Sequence, residues 1–353
     1  MEINSLKYKK LIIFYFSGTG NAKKSSEWII KNAKEKGIET ELININNKTK
    51  IVNNTSFSKY TLIGFCYPTH GFNAPPLILK FLSRFPKGKS DIFVLNTRAG
   101  MKLSKLFLPG IGGIALWLPA IMLLLKGYKP IGFRPVDMPS NWISLHPGLR
   151  KKVVDSIHNR WELILGKFTD KILSGKKVLN GFIWLPFDIA VLPISVGYYF
   201  IGRFALAKTF YANYNCNMCG KCMRECSVGA IKKVGGRMYW KFSCESCMKC
   251  MNNCPQRAIE TAHSFTFLIW WFAFSSLPFF ITVNLKNVDF FEPLFKLIHF
   301  KGVYNISSIL FGFISLFLAY HLMNYLLRYK WFNYLLTKTS LTHYKFWRRY
   351  KVE

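Results

Sequence analysis

The chain has 353 residues, of which half are hydrophobic and 17% aromatic, and a formal net charge of +32. The length admits two or three domains with their own cores, and the apolar share excludes a disordered chain and points to lipid contact. The charge is compatible with nucleic acid, anionic headgroups, acidic redox partners or a simple Lys, Asn and Ile bias, as in Ile43 to Lys50. No zinc finger, RNP-like motif or recognition-helix pattern accompanies it, which disfavours nucleic acid.

At the N-terminus basic residues precede an apolar run, but Ser17-Gly18-Thr19-Gly20 follows where a signal peptide needs a longer apolar core. A mature cytoplasmic N-terminus is expected. Leu11 to Phe16 reads as a strand buried on both faces. Ala22 to Lys36 then reads as a helix stopped by Gly37, with strands at Ile38 to Ile45 and Thr61 to Cys66. A helix from Pro75 to Phe85 and strands at Asp91 to Leu95 and Ile131 to Val136 continue the alternation. Leu149, Val153, Ile157, Trp161, Ile164, Phe168 and Ile172 mark one face of a long helix. Alternating strands and helices predict a doubly wound parallel sheet, whose ligand site lies beyond the carboxyl ends of its strands.

Ser17, Gly18, Thr19, Gly20 and Asn21 form the loop at the first such end. Two glycines let the backbone curl, and free amides at a helix N-terminus suit a phosphate. A plain strand-to-helix turn has the same sequence. The domain resembles the flavodoxin family, with Phe16 to Asn21 in the position of its flavin-phosphate loop. The resemblance implies FMN. It would place Tyr67, Pro68, Thr69, His70, Gly71 and Phe72 after the third strand, and Asn96, Thr97, Arg98, Ala99 and Gly100 after the fourth, around the flavin ring. Ala22 departs from the family's usual threonine, and the basic surface departs from its acidic one. His70 reads as a solvated loop histidine and Cys66 as a small buried hydrophobe.

All the cysteines except Cys66 fall between Cys216 and Cys254, a spacing of metal ligands rather than of disulfides. Cys216-x2-Cys219-x2-Cys222-x3-Cys226 recurs as Cys244-x2-Cys247-x2-Cys250-x3-Cys254-Pro255, and an Ala-Ile pair follows each fourth cysteine. Zinc is the competing occupant of such pairs. The run resembles the bacterial-type dicluster ferredoxins, which implies two [4Fe-4S] clusters, the fourth ligand of each coming from the other motif. The resemblance assigns Cys216, Cys219, Cys222 and Cys254 to one cluster, and Cys244, Cys247, Cys250 and Cys226 to the other. Ser227 stands where a proline usually follows the first motif.

Ser264 to Leu285 and Gly302 to Leu327 are each apolar over the length of about 20 residues that a membrane helix needs. The tail carries Arg328, Lys330, Lys338, Lys345, Arg348, Arg349 and Lys351, whereas Asp289 and Glu292 offset the lysines between the spans. The positive-inside bias predicts a hairpin with both ends cytoplasmic. Leu106 to Leu125 and Val178 to Gly202 are further apolar stretches with equal positive flanks. The first is expected to lie on the bilayer, beneath the cysteine-rich module or as a buried helix, the second as an interfacial or re-entrant segment.

The expected architecture is therefore α/β, flavodoxin-like, at 1–175, then a connector at 176–209, an α+β 2[4Fe-4S] ferredoxin module at 210–262 and a transmembrane hairpin with a basic tail at 263–353. The order resembles flavodoxin-ferredoxin fusion proteins. It implies a cytoplasmic-membrane relay of electrons between FMN, two clusters and a protein or small-molecule acceptor. In the alternative, a flavin-free sheet domain is a docking platform for a ferredoxin-type subunit. No paired carboxylates, Ser/His/Asp set or nicotinamide fingerprint is present to define a catalytic residue.

Overall fold

The computed structural model describes residues 6–49, 57–272, 275, 301–347 and 349, and for 301–308 the backbone alone. The first strands are β1 (Lys10–Tyr15), β2 (Glu39–Asn44) and β3 (Thr61–Pro68). They are followed by β4 (Asp91–Leu103), β5 (Leu106–Leu108) and β6 (Lys129–Pro139). The parallel order is β2-β1-β3-β4-β6, with β5 antiparallel to β4. This is the doubly wound order whose reversal point lies between β1 and β3. The central strand β3 is buried along nearly its whole length, which is why its sequence is continuously apolar, whereas edge strand β2 alternates.

Helices α1 (Asn21–Glu35) and α4 (Lys151–Leu173) cover one face, burying Ile29, Ala33, Ile157, Leu165 and Phe168 against Leu11, Ile13 and Phe93. On the other face α2 (Pro76–Arg84) and α3 (Trp117–Leu125) bury Ile78, Leu82, Ala120 and Leu123 against Ile63 and Phe65. The stretch from Leu106 thus forms a short strand, one 3-10 turn at Gly113–Ala115 and a helix packed on the sheet, not a segment beneath the cysteine-rich module. Ile121, Leu124 and Leu125 on the outer side of α3 are exposed.

The fourth strand runs past the expected Leu95 to Leu103. Residues Asn96 to Gly100, read from sequence as a loop, are strand, because β6 pairs with them up to Gly100 and Pro139. Ser104, at φ 54°, turns the chain into β5.

The connector is a chain of short helical pieces: a 3-10 turn at Asn180–Trp184, α5 (Leu185–Ala190), α6 (Leu192–Gly197), a π-turn at Tyr198–Gly202 and α7 (Arg203–Ala207). Pro186 and Pro193 occupy first turns, where their missing N–H is harmless. The two halves meet at 76°, the geometry of a broken span or a re-entrant loop.

The cysteine-rich module has an antiparallel pair, β7 (Phe210–Ala212) with β10 (Ile259–Thr261), and a hairpin, β8 (Ile231–Val234) with β9 (Arg237–Trp240). One short helix follows the second cysteine of each motif: α8 (Lys221–Arg224) and α9 (Lys249–Asn253). Beyond it lie α10 (His263–Trp271), α11 (Lys301–Leu326) and α12 (Lys330–Lys338). Within α11, Ile309–Leu326 is long and apolar enough to cross a membrane. Most of the first expected span beyond Phe272, the loop after it, and Arg348 and Lys351 lie outside the described residues. The C-terminal segment folds onto the module: Tyr211 Oη bonds Ser340 Oγ at 2.7 Å, and Arg349 pairs with the buried Glu260 at 3.1 Å.

Gly64 makes β3 fit its neighbour, since a Cβ there would collide with the fully buried ring of Phe93. We predict that Gly64→Ala lowers unfolding stability by about 1–3 kcal/mol, the usual cost of overpacking. Thermal melting of the detergent-solubilised chain, followed by circular dichroism, checks this; an unchanged midpoint would refute the packing account.

Candidate functional site

The repeat of the cysteine motifs is also a repeat of backbone conformation. Met218 and Ser246 stand second after the first cysteine of their motifs and have φ of 59° and 50°. Gly220 and Met248 follow the second cysteines, at 71° and 61°, and Gly229 and Arg257 sit third after the fourth cysteines, at 61° and 47°. Left-handed backbone in a side-chain-bearing residue costs roughly 1–3 kcal/mol. Its recurrence at matched positions marks a turn required twice. The consequence is also repeated: the amides of Ala230 and Ala258 donate to Cys226 Sγ and Cys254 Sγ at 3.2 and 3.3 Å, and Ser246 N donates to Cys244 Sγ at 3.4 Å.

Two cavities result. One is lined by Cys216, Cys219, Cys222, Cys250 and Cys254. The second is lined by Cys222, Cys226, Cys244, Cys247 and Cys250, so the third cysteine of each motif lines both. The fourth cysteine of each motif therefore faces the other motif's cavity.

Among the described residues no three His, Cys, Asp or Glu side chains converge to hold a single metal ion. Each thiolate of a cubane binds a different iron, so its ligands surround a cavity instead of meeting at a point. Burial pushes the Cys222 thiol up to about 11 and Cys247 to about 12, so loading metal there would release protons.

The second motif is docked on the carboxyl end of the sheet. Gly18 lies so close to Cys247 that a Cβ would collide with its carbonyl oxygen and come within 2.9 Å of its Cβ. Glu245 Oε1 accepts from Leu77 N at 2.7 Å and so caps α2, as an anion suits a helix N-terminus. Burial pushes this carboxyl up to about 7. Asn47 N donates to Ser227 O at 2.8 Å from the loop after β2.

Ser17 Oγ accepts from Gly20 N at 3.0 Å, Thr19 Oγ1 accepts from Asn141 Nδ2, and Asn21 Nδ2 donates to Pro139 O at 2.9 Å. Thr19 and Asn21 are buried, so the expected phosphate loop is tied to β6 and lies under Cys247.

The residues expected around a flavin ring are covered by the connector. Tyr67 is in the core, its hydroxyl donating to Ala115 O at 3.0 Å, and offers no free face for stacking. A Cβ on Gly71 would collide with the Tyr198 ring, and Phe72 O accepts from Ser195 Oγ at 3.0 Å. Asn96 Nδ2 donates to Thr69 Oγ1 at 2.8 Å, and Arg98 pairs with Asp137 at 2.6 Å. His70 is half-buried, not freely solvated, with its Nδ1 enclosed and its ring edge toward Phe16. Cys66 is buried as expected, and burial pushes its thiol up to about 12.

Two observations test FMN here. His70 Nδ1, Asn96 Oδ1, Arg98 Nη1 and Tyr198 Oη are buried without a partner, a set of polar atoms that a heteroaromatic edge could satisfy. The flat slot between the two strand ends, however, is filled by Tyr198, Ser195 and the Gly112-Gly113 turn against Phe72. In this closed arrangement the ring does not fit.

Sequence reading missed Glu245, Tyr198 and Lys208. Lys208 Nζ is buried, donates to Trp240 O at 2.7 Å, and lies 4.8, 4.3 and 4.5 Å from the ring centres of Tyr239, Phe242 and Tyr320. Burial brings its pKa down to about 8 while the neighbouring Cys244 opposes that shift. Only its placement between apolar residues hinted at burial.

Strand order and covering helices define the N-terminal domain as a flavodoxin-like α/β fold joined to an eight-cysteine module. No family model matches the chain, and no curated protein matches it. Among solved structures, a flavodoxin from the domain Archaea is similar at 14% identity over 46% of this chain and 99% of that one, with a TM-score of 0.31. Two-electron reduced Megasphaera elsdenii flavodoxin gives 13%, 44%, 98% and 0.28. A flavone reductase gives 16%, 46%, 64% and 0.30. The fold assignment rests on the strand order itself.

Burial lowers the His70 pKa to about 4. The unfolded chain, near 6.5, therefore binds this proton first, and the stabilisation is full above 6.5 and lost as pH falls toward 4. Between pH 7 and 5 we expect His70 to account for about 2 kcal/mol of lost stability. Hydrogen exchange of the segment 61–72 in wild type and His70→Gln reads the difference; identical pH slopes would show that His70 is not buried neutral.

Proposed function

We propose that this chain is a membrane-attached electron-transfer protein holding two [4Fe-4S] clusters in its paired cysteine cavities. The observation that carries the reading is the crossed lining: around each cavity stand the first three cysteines of one motif together with the third and fourth of the other. The matched left-handed residues and the amide bonds to cysteine sulfur support it. Bound clusters would supply reversible one-electron redox chemistry. The chain's residues would hold the thiolates, exclude water around Cys244, and place the Lys208 ammonium beside Cys244.

In this reading the flavodoxin-like domain is a docking platform, because Cys247, Glu245 and Tyr198 cover the edge at which that fold binds ligands. A second reading, a relay between FMN and the clusters, is favoured by the unpaired buried atoms of His70, Asn96 and Arg98. It requires the connector to lift from Gly71 and Phe72. Membrane attachment draws on Ile309–Leu326, and on this reading the basic tail would keep the redox module on the cytoplasmic side.

Anaerobic purification in neutral detergent, with iron, sulfide and flavin counted per chain, tests both readings. We expect about eight irons per chain and a reduced-state paramagnetic signal. Cys219→Ser and Cys247→Ser should each remove about half of the iron, with different residual spectra. Zinc in place of iron would end the proposal, and stoichiometric flavin would establish the relay over the platform.

A further inference from the structure

A cavity of about 260 Å³ lies on the far side of the fourth strand from the phosphate loop, between β4, β5, β6, α4 and the connector. Neither Ser17 to Asn21 nor Tyr67 to Phe72 lines it, whereas Arg98 and Gly100 of the third segment expected beside a flavin do. Its walls carry Arg98, Arg134 and Arg160, each laid over an aromatic ring: Arg98 3.9 Å from Trp184, Arg134 5.6 Å from Trp161, and Arg160 4.4 Å from Phe107. Stacking fixes a guanidinium plane while leaving its N–H edge free to donate.

The charges in this cavity are not balanced from within. Asp137 is the carboxylate in the lining, and it is taken up by Arg98 at 2.6 and 3.4 Å and by Gly110 N at 2.8 Å. Asp188, outside the lining, also faces Arg98. Arg134 donates to neutral Asn180 at 2.8 Å, and neither it nor Arg160 has an ion pair among the described residues. The Arg98 side chain is 2% exposed, yet its Nη1 has no partner, and Arg134 Nε is likewise buried and unpaired. Buried guanidinium donors are costly to leave unsatisfied. The rim includes the exposed apolar side chains of Met101 and Leu108.

From this we propose a binding site for an amphiphilic oxyanion: a phosphate or carboxylate held by Arg98, Arg134 and Arg160, on a flat apolar body seated among Trp161, Trp184 and Phe107. That chemistry is shared by a soluble aromatic phosphate and by a lipid headgroup entering from the rim. The proposal does not depend on the clusters, and it assigns the unpaired Arg98 Nη1 to this site instead of to a flavin.

Phenyl phosphate is the probe, titrated calorimetrically into the full-length protein in neutral detergent. We expect saturable binding at one site, weakened roughly tenfold or more by Arg160→Gln and by Arg134→Gln, as loss of a charge-assisted bond implies. Arg160 is an exposed residue, so Arg160→Gln keeps the test valid if Arg134→Gln fails to fold. The distant Lys171→Gln should bind like wild type. Loss of probe binding in phosphatidylglycerol vesicles but not in phosphatidylcholine vesicles would identify a lipid headgroup as the occupant; retention in both would identify a soluble one. No saturable binding, equal affinity for inorganic phosphate, or unaltered affinity in both arginine variants would overturn the site.

Discussion

The close approach of two backbones, Gly18 at the end of β1 and Cys247 in the second cysteine turn, sets the arrangement of the rest of the molecule. Side chains cannot be interposed there, so the module meets the sheet through its main chain. Main-chain contact demands that polar groups be satisfied locally. Glu245 supplies one answer by capping α2, and the Asn47–Ser227 bond supplies another. The ligand-binding end of one fold thereby becomes the seat of the other. Tyr198 and Ser195 close the remaining opening above Gly71 and Phe72.

What was legible in the sequence was what local rules govern. Buried parallel strands announced themselves as short apolar runs, and their ends fell within a few residues of expectation for β1 to β3. The cysteine spacing gave the motifs, while their crossed lining of two cavities depends on the fold. The extension of β4 was invisible for a physical reason. Asn96, Thr97 and Arg98 look like loop residues because their burial is provided from far along the chain, by pairing with β6 and, for Arg98, by Trp184 of the connector. Tyr67 and His70 were misread for the same reason: hydropathy cannot distinguish a loop facing a ligand from one facing another part of the chain.

The apolar stretches divide along similar lines. Leu106 to Leu125 has a long hydrophobic run, but only one side of α3 reaches the sheet core, and Ile121, Leu124 and Leu125 remain on the surface beside an equally apolar connector. Contiguous exposed apolar surface of this kind marks an interaction face. Ile309–Leu326 in α11 is long and apolar enough to cross a membrane, and on the proposed reading both surfaces would meet lipid.

The two cysteine cavities are chemically unequal, and that inequality gives electron flow a direction on the proposed reading. Cys219 is exposed, and the cavity it lines opens beside the mobile-length side chains of Lys221 and Gln256. Cys244 is buried, sits under the sheet domain, and has the Lys208 cation close by in an aromatic enclosure. In such a low-dielectric setting a fixed positive charge favours whichever redox state carries more negative charge, whereas solvent screens the same effect near Cys219. With clusters bound as proposed, the Lys208 charge would favour an electron at the inner site, and the exposed outer site would be the one to meet a partner. One repeated motif would then give two different redox sites, because the protein surrounds its halves differently.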